Sequence, residues 1–387
     1  TGCTACMAVC PIDCIKMIPD DEGFLYPSIN HHCIECGKCE RVCPIASERT
    51  QRFSYTDQHA YAGISKDEHV WINSSSGGAF TEICNSFGDE ATIIFGSKLR
   101  EKAVEHSYVV GVENISEFRR SKYVQSYLGM CFREVETFLK QGEKVVFAGT
   151  PCQVAGLRSY LKKDYEQLLC IDLICHGVGS PRVFQEYLNY RSMQRGVDIK
   201  SYSFRHKRSF MGNIKLYVSR IEYVDGKIEY INKDDYNRLF LSQLCLRKSC
   251  GPNCRFRNRN RMGDITLADF KNKHRVFPWL YDYRNYSTII VNSRIGENII
   301  PRLKERMDLL PCGIDAIGKY NPLFCRTTEG NPLRDDFFSD FKSGVPFAEL
   351  IEKYLPNKSF RHVHIKESIP YNMRLFIIRV FGRFIRE

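Results

Sequence analysis

Cys33-Ile34-Glu35-Cys36-Gly37-Lys38-Cys39-Glu40-Arg41-Val42-Cys43-Pro44 is the stretch on which the reading of this chain turns. Cysteines spaced by two, two and three residues and closed by proline bring several thiolates round one compact inorganic core, the ligand pattern of a 4Fe-4S cluster. In such runs the first three cysteines hold one cluster and the fourth crosses to another, so a second run is required. Upstream stand Cys3, Cys6 and Cys10, the last followed by Pro11, in the second, third and fourth positions of the same pattern. The expected pairing is Cys33, Cys36, Cys39 and Cys10 around one cluster, with Cys3, Cys6 and Cys43 around the other. The first position of the upstream run falls immediately before Thr1, so the sequence is expected to begin inside the motif. Cys14 reads as a small buried apolar residue, with a substitute ligand as the alternative. A zinc site built from C-x-x-C pairs is the competing metal reading, disfavoured by two interleaved runs that each end in Cys-Pro.

With 387 residues, 43% of them hydrophobic, the chain can form two or three domains with cores of their own. Eighteen cysteines without a signal-peptide pattern point away from a secreted disulfide scaffold and towards reduced thiols in the cytoplasm. No apolar run approaches the roughly twenty residues needed to span a bilayer, so no transmembrane segment is expected. The net charge of +11 suits an acidic protein partner, a phosphate-bearing cofactor or a membrane surface as well as nucleic acid, and does not choose among them.

After Pro44, residues 46–59 are polar and lack apolar periodicity, the mark of a linker. Residues 60–64 then read as a strand, and Ser74-Ser75-Ser76-Gly77-Gly78-Ala79-Phe80-Thr81 opens a helix that runs to Phe87. Hydroxyl and glycine residues at a helix N-terminus present N–H groups to an anion, so this loop is a candidate phosphate cradle; an ordinary serine-capped helix is the plain alternative. Residues 91–96 form a second apolar strand. Ser121-Lys122-Tyr123-Val124-Gln125-Ser126 sets a cation, an aromatic ring and an amide within one turn, which suits a flavin's ring and phosphates or a solvated surface equally.

Residues 144–148 read as a strand ending in Gly149-Thr150-Pro151-Cys152, followed by a helix over 153–161. Residues 168–174 read as another, ending in Cys175-His176-Gly177, with a helix opened by Ser180-Pro181. Such alternation implies a parallel α/β sheet, whose ligands gather beyond the carboxyl ends of the strands, where Cys152 and Cys175 both fall. Residues 201–232 turn to antiparallel character, with Asp225-Gly226 as a hairpin turn. Then come Cys245, Cys250-Gly-Pro-Asn-Cys254, a basic run of Arg255, Arg257, Arg259 and Arg261, and a strand over 264–270. Cys152, Cys175, Cys250 and Cys254 together supply the ligands of a third 4Fe-4S cluster, with zinc as the runner-up. The arginine run lacks a nucleic-acid fold signature and is assigned to the surroundings of an anionic thiolate cluster or to a docking face, so no nucleic-acid partner is expected. Cys84, Cys131, Cys170, Cys312 and Cys325 belong to no motif and read as structural. Residues 373–386 carry Leu375, Ile378, Phe381 and Ile385 on one side of a basic amphipathic pattern, suited to peripheral membrane contact or to packing on the chain itself.

Ser75-Ser76-Gly77-Gly78, residues 121–126, Gly149-Thr150-Pro151-Cys152-Gln153 and Cys175-His176-Gly177-Val178 resemble the coenzyme F420 (deazaflavin) hydrogenase/dehydrogenase beta-subunit family. The similarity continues over 247–270, at Ser249-Cys250, Cys254 and Asp264-Ile265-Thr266-Leu267-Ala268-Asp269-Phe270, and covers residues 1–345 in the layout with an N-terminal two-cluster ferredoxin module. The resemblance implies an iron–sulfur flavoprotein that passes electrons between clusters, FAD and a hydride-accepting coenzyme or substrate. Two positions depart from the pattern: Cys250 to Cys254 is one residue longer than C-x-x-C, and Lys271 stands where an aromatic residue follows Asp-Phe.

These readings converge on an α/β chain, α+β overall. A ferredoxin-like domain is expected over 1–50, an FAD-binding oxidoreductase domain over 60–345 with a partly parallel sheet and an antiparallel hairpin flank, and a helical tail over 346–387. Ser75, Ser76, Gly77 and Gly78 are the candidate flavin-phosphate contacts; Lys122, Tyr123 and Gln125 are candidates for the ring or ribityl chain. His176 is the candidate proton donor, a hydrogen-bonded structural histidine being the plain alternative. The expected partner is a redox protein or a small-molecule electron donor or acceptor; oligomeric state leaves no signal. A non-catalytic electron-transfer subunit docked on a catalytic partner is the second reading, and a zinc-stabilised interaction module the third.

Overall fold

A computed structural model describes residues 1–46, 58–210 and 213–355. The N-terminal unit pairs two short helices, α1 (Ala5–Val9) and α2 (Lys38–Val42), with a hairpin of β1 (Ile15–Pro19) and β2 (Leu25–Ile29). The helices are built alike. Each enters from a left-handed residue, Thr4 at φ 63° or Gly37 at φ 64°, and leaves through an extended cysteine, Cys10 or Cys43. Proline after each cysteine disfavours the helical conformation at the residue before it, so the two Cys-Pro steps end their helices in the same way.

The larger unit begins with β3 (His59–Ser65), α3 (Glu68–Ile72), α4 (Ala79–Phe87), β4 (Ile93–Arg100), β5 (Ala103–Val110) and α5 (Cys131–Lys140). It continues through β6 (Val145–Ala148), α6 (Pro151–Leu161), β7 (Leu168–Leu173) and α7 (Pro181–Arg195). A ribbon of β8 (Ile199–Phe210), β9 (Asn213–Tyr223) and β10 (Ile228–Ile231) follows, then α8 (Asp235–Leu241), β11 (Ile265–Asp269), β12 (Ser287–Val291) and β13 (Met307–Cys312). Eight strands form one sheet in the order β13-β3-β12-β11-β7-β6-β4-β5. Its middle, β4, β6, β7 and β11, is parallel, with Ile93 beside Val145, Val145 beside Leu168 and Ile171 beside Ile265. β12 runs antiparallel to both β11 and β3, so β3 points with the parallel set. The carboxyl ends of β3, β6, β7 and β11 therefore open on one edge. These central strands are nearly continuous apolar runs because helices cover both faces. The expected α/β architecture with an antiparallel flank is what forms, and the flank is the three-stranded ribbon β8-β9-β10, turned at Gly226 with φ 80°.

The two units share a core. Phe24, at the tip of the β1–β2 hairpin, is fully buried with Val104, Val124, Phe184 and Tyr187. Ala5 and Ala8 of α1 pack with Phe132, Val135 and Leu157 of α5 and α6. Polar clamps complete the joint. Gln125 Oε1 accepts the Leu25 N–H at 2.9 Å, and Arg247 donates to the Leu25 carbonyl at 3.2 Å while lying 3.8 Å from the Tyr26 ring centroid. Arg133 donates to the Ala8 and Cys10 carbonyls at 2.6 and 2.7 Å, and Arg334 holds the Glu22 carboxylate with both terminal nitrogens. The linker read over 46–59 lies mostly outside the described residues, and the amphipathic pattern over 373–386 lies wholly outside them. The tail is helical at Phe347–Tyr354, where Leu350 and Tyr354 join the core around α7. Among the described residues no helix is long and apolar enough to cross a membrane.

Candidate functional site

None of the eighteen cysteines forms a disulfide. In the N-terminal unit Cys6 is pushed up to about 11 by burial and by Cys3, with Cys43 acting in the same sense, so these three sulfurs face one another. Cys10 and Cys14 stand 3.4 Å apart, and the Cys14 thiol is pushed up to about 12 by Cys10 and by burial, with Cys33 also beside it. Cys14 is buried, as its sequence context suggests, and it stands between two candidate ligands, Cys10 and Cys33. Cys39 packs against the cluster of Met7, Cys10, Cys14 and Ile15. Sulfurs from each Cys-Pro step thus meet sulfurs of the opposite run, the crossing that a two-cluster site demands.

The second thiol group lies at the carboxyl edge of the sheet. Cys152 opens α6 after β6, with its sulfur 3.1 Å from Thr150 Oγ1, and Cys175 follows β7. Burial pushes the Cys152 thiol up to about 12 and that of Cys175 further; Cys250 lies close enough to raise both, and Cys254 raises Cys250. Such thiols stay protonated until a cation takes the proton's place, which is how coordinating sulfur behaves. Arg257 bears on both Cys175 and Cys250 and opposes the rise. Among the described residues no three Cys, His, Asp or Glu side chains close to the spacing of a single metal ion. Cys3 also bears on Cys152, which brings the two thiol groups into neighbourhood.

The arginine run divides into buried Arg257 and Arg261 and exposed Arg255 and Arg259. Arg261 is buried against Asp172 at 3.0 Å, Arg257 donates to the Cys175 and His176 carbonyls, Arg255 to the Ile45 carbonyl at 2.5 Å and Arg259 to Asp315 at 2.6 Å. Arg257 lies beside Cys175 and Cys250, the thiolate surroundings that the sequence reading allowed, while Arg255 and Arg259 remain exposed. Of the cysteines without a motif, Cys84, Cys131 and Cys170 are buried, whereas Cys325 is exposed and accepts from Arg259 Nε at 3.5 Å.

The 74–78 loop sits beyond β3 and before α4, on the same carboxyl edge. Ser75 Oγ accepts the Ser121 N–H at 2.8 Å, joining this loop to the 121–126 segment, and Ser76 Oγ donates to the Tyr286 carbonyl at 2.8 Å. Gly77 is required by packing: a Cβ there would lie 2.1 Å from the Gly63 carbonyl oxygen and 2.6 Å from Ser287 N. Gly78 caps α4 at φ 92°. Residues 121–126 are irregular, bent at Val124, and do not form a helical turn. Lys122 donates to the Glu117 and Arg119 carbonyls at 3.0 and 2.7 Å, and burial followed by repulsion from Arg120 lowers it to about 7. Gln125 is turned to the ferredoxin unit, where both its amide atoms meet Leu25.

Tyr123 connects the two edges of the site. Its ring stacks on Phe240 at 4.4 Å and 20°, and the His176 ring lies 5.1 Å from the same Phe240. Burial and Arg257 lower His176, and its buried Nε2 meets no partner among the described residues. A line of rings thus runs from Cys175-His176 to the Ser75 loop. Sequence reasoning missed the cations that close this loop. Arg205 donates to the Ser75 carbonyl at 3.0 Å and to Asp269 at 2.7 Å, and Lys207 donates to the Trp71 and Ser76 carbonyls at 2.5 Å each. Both are aimed by register shifts of β8 between Ser203 and Arg208, with Arg205 at φ 50°. Phe204-Arg205-His206-Lys207-Arg208 was the signal available in the sequence.

Comparison with known proteins follows the same division. Residues 142–315 match the family described as coenzyme F420 hydrogenase/dehydrogenase, in the C-terminal part of its beta subunit, and residues 1–47 match the 4Fe-4S dicluster domain. A curated relative, "Ferredoxin 7Fe" of Hydrogenibacillus schlegelii, is 33% identical over 63 residues, 16% of this chain and 76% of its own length. A solved structure of the F420-reducing NiFe hydrogenase complex from Methanosarcina barkeri aligns at a TM-score of 0.45 and 14% identity, over 74% of this chain and 93% of that one.

Proposed function

Because the chain belongs to the coenzyme F420 hydrogenase/dehydrogenase beta-subunit family and carries an N-terminal 4Fe-4S dicluster domain, we propose that it is an iron–sulfur flavoprotein oxidoreductase, passing electrons between its clusters, FAD and a hydride-accepting coenzyme or small-molecule substrate. One observation carries this reading: α6, whose first turn holds Cys152, also seats Cys3 against Gly156. One helix thereby supports a ligand of the ferredoxin unit and a ligand of the second thiol group.

In this reading Cys33, Cys36, Cys39 and Cys10 hold one cluster, Cys3, Cys6 and Cys43 contribute to another, and Cys152, Cys175, Cys250 and Cys254 hold a third. When bound, the clusters supply one-electron steps and FAD converts them to two-electron transfer. The chain's own part is positional. Ser75, Ser76, Gly77 and Gly78 present the N-terminus of α4 to the flavin phosphates, while Lys122 and Tyr123 border the ring and ribityl chain. His176 holds or releases a proton at Nε2 beside Phe240, and Arg257 offsets thiolate charge at Cys175 and Cys250. Gln125 keeps the ferredoxin unit in place.

Anaerobic purification followed by iron, acid-labile sulfide and flavin analysis tests the proposal. Iron and sulfide in near-equal amounts together with extractable FAD are expected; zinc alone, without sulfide or a yellow chromophore, contradicts it. Cys33 is exposed and Ile34 beside it is 61% exposed, which favours a second reading of the chain as a relay subunit docked on a catalytic partner. Turnover of a soluble acceptor by the isolated chain selects the enzyme over the relay.

A further inference from the structure

Arg220 stands in the middle of the β8-β9-β10 ribbon with Ser203 as its register partner on one side and Tyr230 on the other. His206, carried past the β8 register shift, brings its ring to 5.5 Å from that of Tyr230. Arg120 enters from the loop before Ser121, itself left-handed at φ 67°, and reaches Ser203 Oγ at 3.5 Å and Asn73 Oδ1 at 3.1 Å. Three basic side chains from two parts of the chain thus converge on one face of the ribbon. Glu222 is the acid beside them, 2.9 Å from Arg220 and shared with Lys200 at 2.8 Å. Arg120 Nε and His206 Nδ1 are buried and meet no partner among the described residues.

We propose that Arg120, His206 and Arg220 form a binding site for a phosphate-bearing ligand, whose phosphate is held by charge-assisted hydrogen bonds from the two guanidiniums and the imidazole. Glu222 balances Arg220 alone; the further charges of Arg120 and a protonated His206 beside it are unfavourable without a second anion, and left-handed backbone at Arg120 adds strain that persists only where the surroundings impose it. Burial and repulsion from Arg120 and Arg220 accordingly hold His206 down to about 4 in the unliganded site. A phosphate reverses each term, because guanidinium forks match its oxygens and its charge draws a proton to the imidazole. The proposal deepens the flavoprotein reading, since the phosphate belongs either to the flavin or to the electron acceptor.

Isothermal titration of the full chain with inorganic pyrophosphate, as purified and after removal of flavin, tests the site. Binding that appears only after flavin removal assigns the site to the flavin phosphates; binding to both forms assigns it to the acceptor. In either case Arg120→Gln and Arg220→Gln are expected to weaken pyrophosphate roughly tenfold or more, Arg220→Lys less, and Lys140→Gln, far from the ribbon, not at all. Circular dichroism establishes that the variants are folded. No binding by either wild-type form, or equal binding by the folded glutamine variants, overturns the proposal. The flavoprotein reading fails separately, on the absence of a flavin chromophore.

Discussion

The sulfur of Cys3 lies 2.8 Å from the point at which a Cβ on Gly156 would stand, with Phe132 Cε2 3.3 Å from that point. Glycine at this turn of α6 is what lets the ferredoxin ligand run approach the helix. Gly156→Ala forces a methyl into a space bounded by a sulfur and a ring, the overpacking that costs about 1–3 kcal/mol. The expected outcome is a folded protein that loses iron from the Cys3 cluster first. Iron analysis and the electron paramagnetic resonance of the reduced clusters, compared with wild type, check it.

Arg334 reaches across the chain to Glu22 and also donates to the Leu246 carbonyl at 2.6 Å, with its side chain 10% exposed. Arg334→Ala leaves a carboxylate and a carbonyl without their donor, a change that costs about 3 kcal/mol for a pair this enclosed. The loss is expected in the joint between the units, so limited proteolysis of the variant should release the ferredoxin segment at protease levels that leave wild type intact.

His106 sets a pH dependence. Burial holds its imidazole down to about 4, with Nε2 3.1 Å from the Ala148 carbonyl oxygen, whereas the unfolded side chain titrates at about 6.5. The unfolded state therefore binds a proton that the native state refuses, and stability falls as pH drops through this window, by roughly 2 kcal/mol at pH 5. Above about pH 7 this contribution is constant. Urea unfolding across pH 5–7 should show the slope, and His106→Gln should reduce it; His206, also lowered to about 4 by burial, acts in the same sense and keeps it from vanishing.

Thr4 holds the left-handed position that Gly37 holds in the second run, and its buried hydroxyl meets no partner among the described residues. A β-branched residue there costs about 1–2 kcal/mol, partly offset by the chain entropy that glycine loses on folding. Thr4→Gly is expected to stabilise the protein by roughly 0.5–1 kcal/mol, read as an increase in the midpoint of anaerobic thermal unfolding.

Much of the fold and of the thiol groups was legible in the order of residues alone. Regular cysteine spacing encodes a local wrapping of the chain, and Ser180-Pro181 encodes the helix start that appears as α7, whereas α6 begins at Pro151, two residues before the start expected at Gln153. What stayed hidden was non-local. Gln125 looked like a flavin contact because its neighbours are Lys122 and Tyr123, yet its partner Leu25 is 100 residues away. β5 was missed because its turn, Glu101 at φ 53°, uses a residue without a turn signature. Arg205 and His206 sat in a strand pattern whose alternation predicts facing, and the register shifts of β8 that re-aim them leave no trace in composition.

The proposed function requires electrons to pass between the clusters of the ferredoxin unit and a flavin by way of the group of Cys152, Cys175, Cys250 and Cys254. The decisive measurement is stopped-flow reduction of anaerobic protein by a donor that reduces the clusters, with flavin absorbance and cluster signals followed together in Cys250→Ser and wild type. Cys250→Ser is expected to reduce its ferredoxin clusters and retain flavin, while the flavin no longer bleaches in step with them. Flavin reduction at the wild-type rate in that variant would contradict this route.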